Sequence, residues 1–353
     1  MKMYKARSVK PVIRYNNKDI SADVRPYLKS MSYTDNMSGE ADSLEISLED
    51  RQGLWEGSWM PDKRATLDAL FLLQNWDQTM GGSSQLDLGK FEIDTIDYQY
   101  APAEMTIKGV SIPDNNKLRG ENRSRSWEKV KLSTICNDIA VGAALELNYT
   151  APDDPELDRV EQSEESDLAF LWKLLKDQGL ALKIFKTQLI VFDEADYEKV
   201  EPQLTLVKPG TVYQSIKGMV YLDEIKSCRF NSKIRDTYKA CHVKYKSGKK
   251  SAVIEATYTA PDKTEGKTLQ VNEQVKSVAE AERLAKKKLR DKNKEETTGS
   301  FELMGNLNLL TTLTIQVKGF GKFDGRYIIT SAKHSIGSGY TTTIDIRRCL
   351  NGY

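Results

Sequence analysis

Two runs of strict alternation, one near each end of the chain, constrain its fold more than any other feature. SLEISLED (Ser43–Asp50) sets Leu44, Ile46 and Leu48 against Glu45, Ser47 and Glu49, and far downstream TLTIQV puts Leu313, Ile315 and Val317 on one side. Successive side chains of an extended backbone point to opposite faces, so each run is a strand with one buried and one wet face. Similar short runs surround both. LGKFEIDTIDYQY holds Phe91 and Ile93 in one phase, then Ile96 and Tyr98 in the other, which predicts a bulge or bend within the strand. MTIKGVSI follows the Pro102 turn as its antiparallel partner. The first third therefore reads as a small sheet or barrel.

The middle of the chain changes period. KLSTICNDIAVGAAL brings Leu132, Ile135, Cys136, Ile139 and Ala140 to one helical face. VEQSEESDLAFLWKLLKDQGL (Val160–Leu180) opens with a burst of carboxylates. Ser166 caps a helix there, and Asp167 suits the positive end of its dipole. Leu168, Leu171, Trp172 and Leu175 form the apolar stripe, and Gly179 stops the helix. The burst is thus expected to begin a helix rather than to make an acid–base site, because Glu164 and Glu165 are neighbours that diverge. LALKIFKTQLIVFDE adds two short strands with a turn near Lys186–Gln188. The expectation is an α+β, β-rich chain: a first β domain over 1–111, an inserted α+β domain over 112–200, and a second β region over 201–353. That last region carries a long helix near 277–294, where Ser277 and Glu280 form a capping box.

Composition narrows the function. At 353 residues the chain is too long for one ordinary core. Lys plus Arg is 52 against 51 for Asp plus Glu, without the basic excess of a nucleic-acid binder. The longest apolar stretch, ALFLLQNW, is far short of the roughly 20 residues of a membrane span. No apolar run follows the basic N-terminus, so folding in a cytoplasm is expected. Cys136, Cys228, Cys241 and Cys349 have no CxxC spacing and read as reduced, mostly buried thiols. His242 and His334 are too far apart in the chain for a His-rich metal site. A Cys/His/carboxylate site drawn from distant segments stays open, with no spacing in its favour.

Candidate chemistry is thin. Glu92 and Asp94 would share one strand face about 6.6 Å apart, within the range of glycosidase carboxylates, although that face is most simply the wet one. Cys241 and His242 adjoin on a strand and point apart, so they form no dyad. There is no G-x-S-x-G, and GFGKFDG (Gly319–Gly325) lacks the ending of a P-loop and reads as a hairpin loop. RLAKKKLRDKNK (Arg283–Lys294) could meet DNA or an acidic partner, but without interleaved aromatics it reads as a solvated helix face. YTAPD occurs twice, at Tyr149–Asp153 and Tyr258–Asp262, both as turn chemistry. The reading assigns no catalytic, cofactor or metal residues and no enzyme activity.

Four segments in order, SGEADSLEISLEDRQGLWEGSW, LGKFEIDTID, VEQSEESDLAFLWKLLKDQGLALKI and GFGKFDGRYIITSAKHSIGSGYTTTIDIRRCL, carry a resemblance to the phage late control D family. These are baseplate hub proteins of contractile tails, more distantly similar to the hub portion of VgrG spikes. Similar proteins tend to place Gly just before the late strands, where this chain has Thr312. The resemblance implies two tail-tube-like β-barrels joined through an inserted α+β domain. It implies a structural homotrimer in which six barrels make a pseudo-sixfold ring, within the tail baseplate of a virion or phage-like particle. Its partners would be the tail tube, a central spike and other baseplate proteins, with no cofactor, no specific nucleic acid and no membrane insertion. VgrG-like proteins usually carry a needle after the hub. This chain ends at Tyr353, so the spike is expected to be a separate polypeptide. Trp55, Trp59, Phe320 and Phe323, in Gly-flanked segments, are candidate interface anchors, with barrel-end plugs as the competing reading. The alternative function is a tail-associated peptidoglycan hydrolase.

Overall fold

The computed structural model describes residues 6–76, 82–111, 118–214, 219–246 and 252–353. Its first part is built from short amphipathic strands: β1 (Ser8–Tyr15), β2 (Lys18–Asp19), the single-turn α1 (Ser21–Val24), β3 (Leu28–Asn36), β4 (Ser43–Glu49), β5 (Thr66–Gln74), β6 (Ser83–Gln99) and β7 (Glu104–Val110). The ladder order is β3-β4-β7-β6-β5-β1-β2, antiparallel throughout. On β4, Leu44, Ile46 and Leu48 point into the core, as the alternation requires. The phase change in LGKFEIDTID is a bulge, with the β6–β7 register slipping between Ile93 and Thr95. Around it the long β6 pairs β5 through its first part and β7 through its second. Gly109 allows the close approach at this bend, since a Cβ there would fall 3.0 Å from the Phe91 Cβ.

The helical period sets in after residue 118. The elements are β8 (Asn122–Lys131), α2 (Leu132–Gly142), β9 (Glu146–Tyr149), β10 (Glu156–Ser166), α3 (Asp167–Asp177), β11 (Ala181–Phe185), β12 (Gln188–Phe192) and α4 (Glu194–Glu198). β8 and β10 form a two-stranded ribbon, and β11-β12-β9 a small mixed sheet. Both pack on the apolar stripes of α2 and α3 around Ile135, Ile139, Leu171 and Leu175. The expected boundary after residue 111 adjoins 112–117, which lie outside the described residues.

The carboxylate burst is placed differently from the expectation. Glu161, Glu164 and Glu165 lie on β10, and only Asp167 belongs to the helix. The cap itself explains this. Ser166 Oγ accepts the Ala169 N–H at 3.3 Å from an extended backbone, with φ −68° and ψ 152°. An N-cap residue keeps that non-helical conformation, so the chain before it runs straight into a strand that β8 can pair. Glu164, at φ +49°, sits in the bulge between Gln162 and Glu165.

The remainder contains β13 (Leu204–Val207), β14 (Val220–Leu222), β15 (Ile225–Ser232), β16 (Tyr238–Tyr245), β17 (Ile254–Thr259), β18 (Lys267–Val271), α5 (Val278–Asn293), β19 (Thr297–Met304), β20 (Thr314–Lys318), β21 (Gly325–Ile336) and β22 (Tyr340–Arg348). A second β lobe runs in the order β15-β19-β22-β21-β20-β13-β14 around Phe301, Ile315, Tyr327 and Ile344. Its two outer strands, β14 and β15, are consecutive in the chain, separated only by Asp223 and Glu224.

β21 belongs to both lobes. Residues Gly325–Ile328 pair β20, the register with β22 shifts between Ile329 and Ser331, and beyond that shift Ser331–Ile336 pair β3. One 14-stranded sheet therefore runs through both lobes. The strands β16, β17 and β18 do not join it. They form a separate sheet covered by α5, with its own core of Cys241, Val243, Ala281, Ala285 and Leu289. The Ser277 half of the expected capping box is present, its Oγ accepting the Glu280 N–H at 3.2 Å, while Glu280 Oε2 reaches one residue further back and accepts the Lys276 N–H at 2.7 Å in place of that of Ser277. The architecture as a whole is β-rich with few helices.

Candidate assembly surface

The four aromatic candidates fall into two separate clusters. Trp55 and Trp59 sit in the turn-rich segment after β4, which the Asp50 carboxylate organises by accepting the N–H groups of Trp55 and Glu56, each at 3.0 Å. Their rings meet edge to face at 5.3 Å, and Tyr27 completes the trio. Trp55 is 5% exposed and Trp59 39%. Together they form one wall of an apolar cleft of about 550 Å3 that opens into the first lobe between Ile13, Val24 and Leu48.

Phe320 and Phe323 flank a single 3₁₀ turn in the β20–β21 loop. Asp324 holds that turn by accepting the N–H groups of Gly319 (3.1 Å) and Phe320 (2.6 Å). Both rings lie on Phe230 of β15, at 5.3 and 4.7 Å, and Phe230 stands on the buried Phe301. The structure brings each pair together within its own lobe. The second pair is half-buried over the core of its lobe.

The candidate chemistry disperses. The bulge takes Asp94 out of the regular ladder, and its carboxylate meets Arg119 at 3.3 Å. Cys241 is buried under α5, while His242 on the opposite face shares its Nδ1 with Thr257 Oγ1 at 2.8 Å. Burial pushes the Cys241 thiol up to about 11 and those of Cys136 and Cys349 up to about 12, the reverse of an activated nucleophile. Cys228 is exposed. His334 is buried at the seam of the lobes, where Nε2 lies 3.0 Å from the Leu309 carbonyl and Nδ1 2.7 Å from Tyr340 Oη. A carbonyl only accepts, so Nε2 carries the proton and Nδ1 accepts from the tyrosine. Among the described residues no group of three or more His, Cys, Asp or Glu could hold a metal ion.

Charge is used instead to fasten the units to one another. On β11, the Lys183 ammonium donates to Asp35 (2.5 Å), to the Asn36 carbonyl (2.7 Å) and to Asp42 (3.0 Å), tying the insert to β3 and the loop after it. Burial pushes the Asp42 carboxyl up to about 6 despite Lys183, with Asp35 adding to the rise. At the other end of the insert, Glu194 and Glu198 of α4 receive Arg347 of β22, Arg290 of α5 and Lys294 at the C-terminal cap of α5. Burial works against the Glu194 charge, yet these cations hold its carboxyl below the usual range. The basic helix is therefore partly engaged within the chain. Lys276 pairs Asp158 at 2.5 Å and Lys288 pairs Glu273 at 2.8 Å. The one sequence signal for this network was the spacing of Glu194 and Glu198, which places two carboxylates on one helix face.

No protein-family model matches the chain. Two curated relatives, each named a probable baseplate hub protein, come from Escherichia phages 186 and P2. Both are 28% identical over 204 residues, which is 56% of this chain and 49% of theirs. The match thus spans about half the length of those relatives. In three dimensions the chain is similar to the 43 kDa tail protein of prophage MuSo2 from Shewanella oneidensis, with a TM-score of 0.71 at 13% identity over 96% of this chain and 98% of that one. It also overlays a chain of the Francisella PdpA–VgrG complex, with a TM-score of 0.58 at 10% identity over 99% of this chain and 54% of that one. The chain is thus similar in sequence to phage baseplate hub proteins over about half its length, and similar in fold to a phage tail protein over nearly all of it.

Proposed function

We propose that the protein is a structural hub subunit of the tail baseplate of a virion or phage-like particle. The observation that carries this is the β21 strand, which pairs β20 in one lobe and β3 in the other and so makes two β lobes one continuous sheet. Two lobes held in fixed relation can act as adjacent, near-equivalent members of a ring. Three chains would then present six lobes, matching a six-fold tube on one side and a three-fold spike on the other. The two end strands of the second lobe, β14 and β15, are joined only by Asp223 and Glu224, which keeps the ends of the sheet close in the chain and supports reading this lobe as tube-like. On this reading residues 1–111 and 201–353 supply the ring. Residues 112–200 are an inserted unit, with β16–β18 and α5 a further outgrowth of the C-terminal part.

Trp55, Trp59, Phe320 and Phe323 are the proposed interface anchors, and Trp59 is the most exposed of the Trp pair. The partners are two further copies, the tail tube, a central spike and other baseplate proteins, and the role is non-catalytic. Light scattering after size exclusion tests the reading. One chain is 40.0 kDa, so the trimer should weigh 3 × 40.0 = 120 kDa. A chain that stays at 40.0 kDa even when mixed with its spike protein overturns it, as does a cleared zone on a cell-wall zymogram.

A further inference from the structure

A cleft of about 260 Å3 lies between the two helical units, with α5 on one side and the turn after α3 and the start of α4 on the other. Cations outnumber carboxylates in its lining. Some of that charge is neutralised within the chain, as Arg290 and Lys294 meet Glu198 and Glu194, and Lys199 meets Asp196. Lys176, Arg283, Lys286 and Lys287 line the cleft with no ion-pair partner among the described residues.

Lys287 is the most constrained of these. Its stem packs on Gly179, whose absent Cβ would lie 3.2 Å from the Lys287 Cγ. That contact brings α5 down onto the end of α3 and removes part of the lysine from water. Burial lowers the Lys287 pKa, and the neighbouring Arg283 lowers it further against the pull of Asp153 and Asp193. An ammonium that gives up hydration without gaining an anion is held at a cost, and an incoming carboxylate removes that cost.

We propose that this cleft receives side-chain carboxylates from an acidic peptide segment of another protein. The volume admits one or two carboxylate side chains and no duplex. Asp153, Asp193 and Asp291 share the lining with the lysines, so an unbroken run of phosphates would be repelled where spaced carboxylates are accepted.

Titration calorimetry on the whole chain tests this with an alternating glutamate–glycine peptide, using inorganic phosphate and a single-stranded oligonucleotide as comparators. The peptide should bind saturably and more weakly as salt rises. Lys287→Met keeps the stem on Gly179 and should weaken binding by about tenfold or more, the loss of one charged hydrogen bond. Lys333→Gln, on a distant strand, should leave binding unchanged. Should Lys287→Met melt early, the surface pair Arg283→Gln with Lys286→Gln takes its place with the same expectation. Absence of saturable binding, equal binding by the folded variants, or phosphate or oligonucleotide bound as tightly as the peptide each overturns the proposal. The trimer mass is measured separately, so either reading can fail while the other stands.

Discussion

Arg347 Nη2 donates to Glu194 Oε2 at 2.7 Å, joining the last strand of the second lobe to the short helix that closes the insert. The arginine side chain is only 2% exposed, and Glu198 and Arg290 extend the network into α5. Three elements distant in sequence thus meet on one set of buried charges. Removing one member of such a set leaves the others desolvated and unpaired, which costs about 3–5 kcal/mol. Arg347→Met should lower the urea-unfolding free energy by that order. Adding Glu194→Gln to it should recover part of the loss, because the neutral amide needs no cation, Lys294 keeps Asp291 at 3.2 Å and Glu198 keeps Arg290 at 2.6 Å. A double variant no more stable than the single one would show that packing, not charge, is lost.

Thr312 occupies a left-handed conformation at φ +68°, with its N–H on the Ile329 carbonyl at 3.0 Å. A β-branched side chain is strained there, by about 1–2 kcal/mol, whereas glycine adopts the conformation freely. Thr312→Gly should therefore stabilise the chain by about 1 kcal/mol after the added entropy of the unfolded glycine is deducted. A shift of the urea midpoint to lower concentration would refute the assignment of strain.

His334 carries a pH dependence with a definite sign. Burial lowers its folded pKa from 6.5 to about 4. Between those values the unfolded chain binds the proton and the folded chain does not, so stability falls as pH falls through this window. The loss between pH 7 and pH 4 is about 3 kcal/mol for this group. Asp42 acts the other way. Its folded value of about 6 lies above the ordinary 3.8, so it favours the folded state as pH drops. The difference between wild type and His334→Gln, which cannot titrate, isolates the histidine. The wild type should lose about 3 kcal/mol more than the variant over that range.

Trp55 and Trp59 touch but should behave differently. Trp55, almost wholly buried, should cost about 3–5 kcal/mol on replacement by alanine. Trp59→Ala should unfold nearly as the wild type does and should lower the mass read by light scattering. A normal mass for the folded Trp59→Ala chain removes Trp59 from the interface.

What the sequence alone determined is local. The inward phase of Leu44, Ile46 and Leu48, the bulge in LGKFEIDTID, the caps at Ser166 and Ser277 and the stop at Gly179 all depend on residues within a few positions of one another. At that range side-chain period and backbone hydrogen-bond demand are enough to decide the outcome. The carboxylate burst shows the limit even there. Its cap was legible, but a capped helix says nothing of what precedes it, and only the pairing partner β8 made Glu161 and Glu165 strand residues. The Trp55–Trp59 and Phe320–Phe323 pairs were visible as Gly-flanked aromatics, whereas Phe230, on which the second pair rests, was not, because it is distant in the chain. The shared strand β21, the detached sheet of β16–β18 and the salt bridges from α5 to the insert likewise required tertiary structure. Which strands pair, and which charges meet out of water, is decided by the competition of many distant segments for the same partners, and no periodicity within one segment records that outcome.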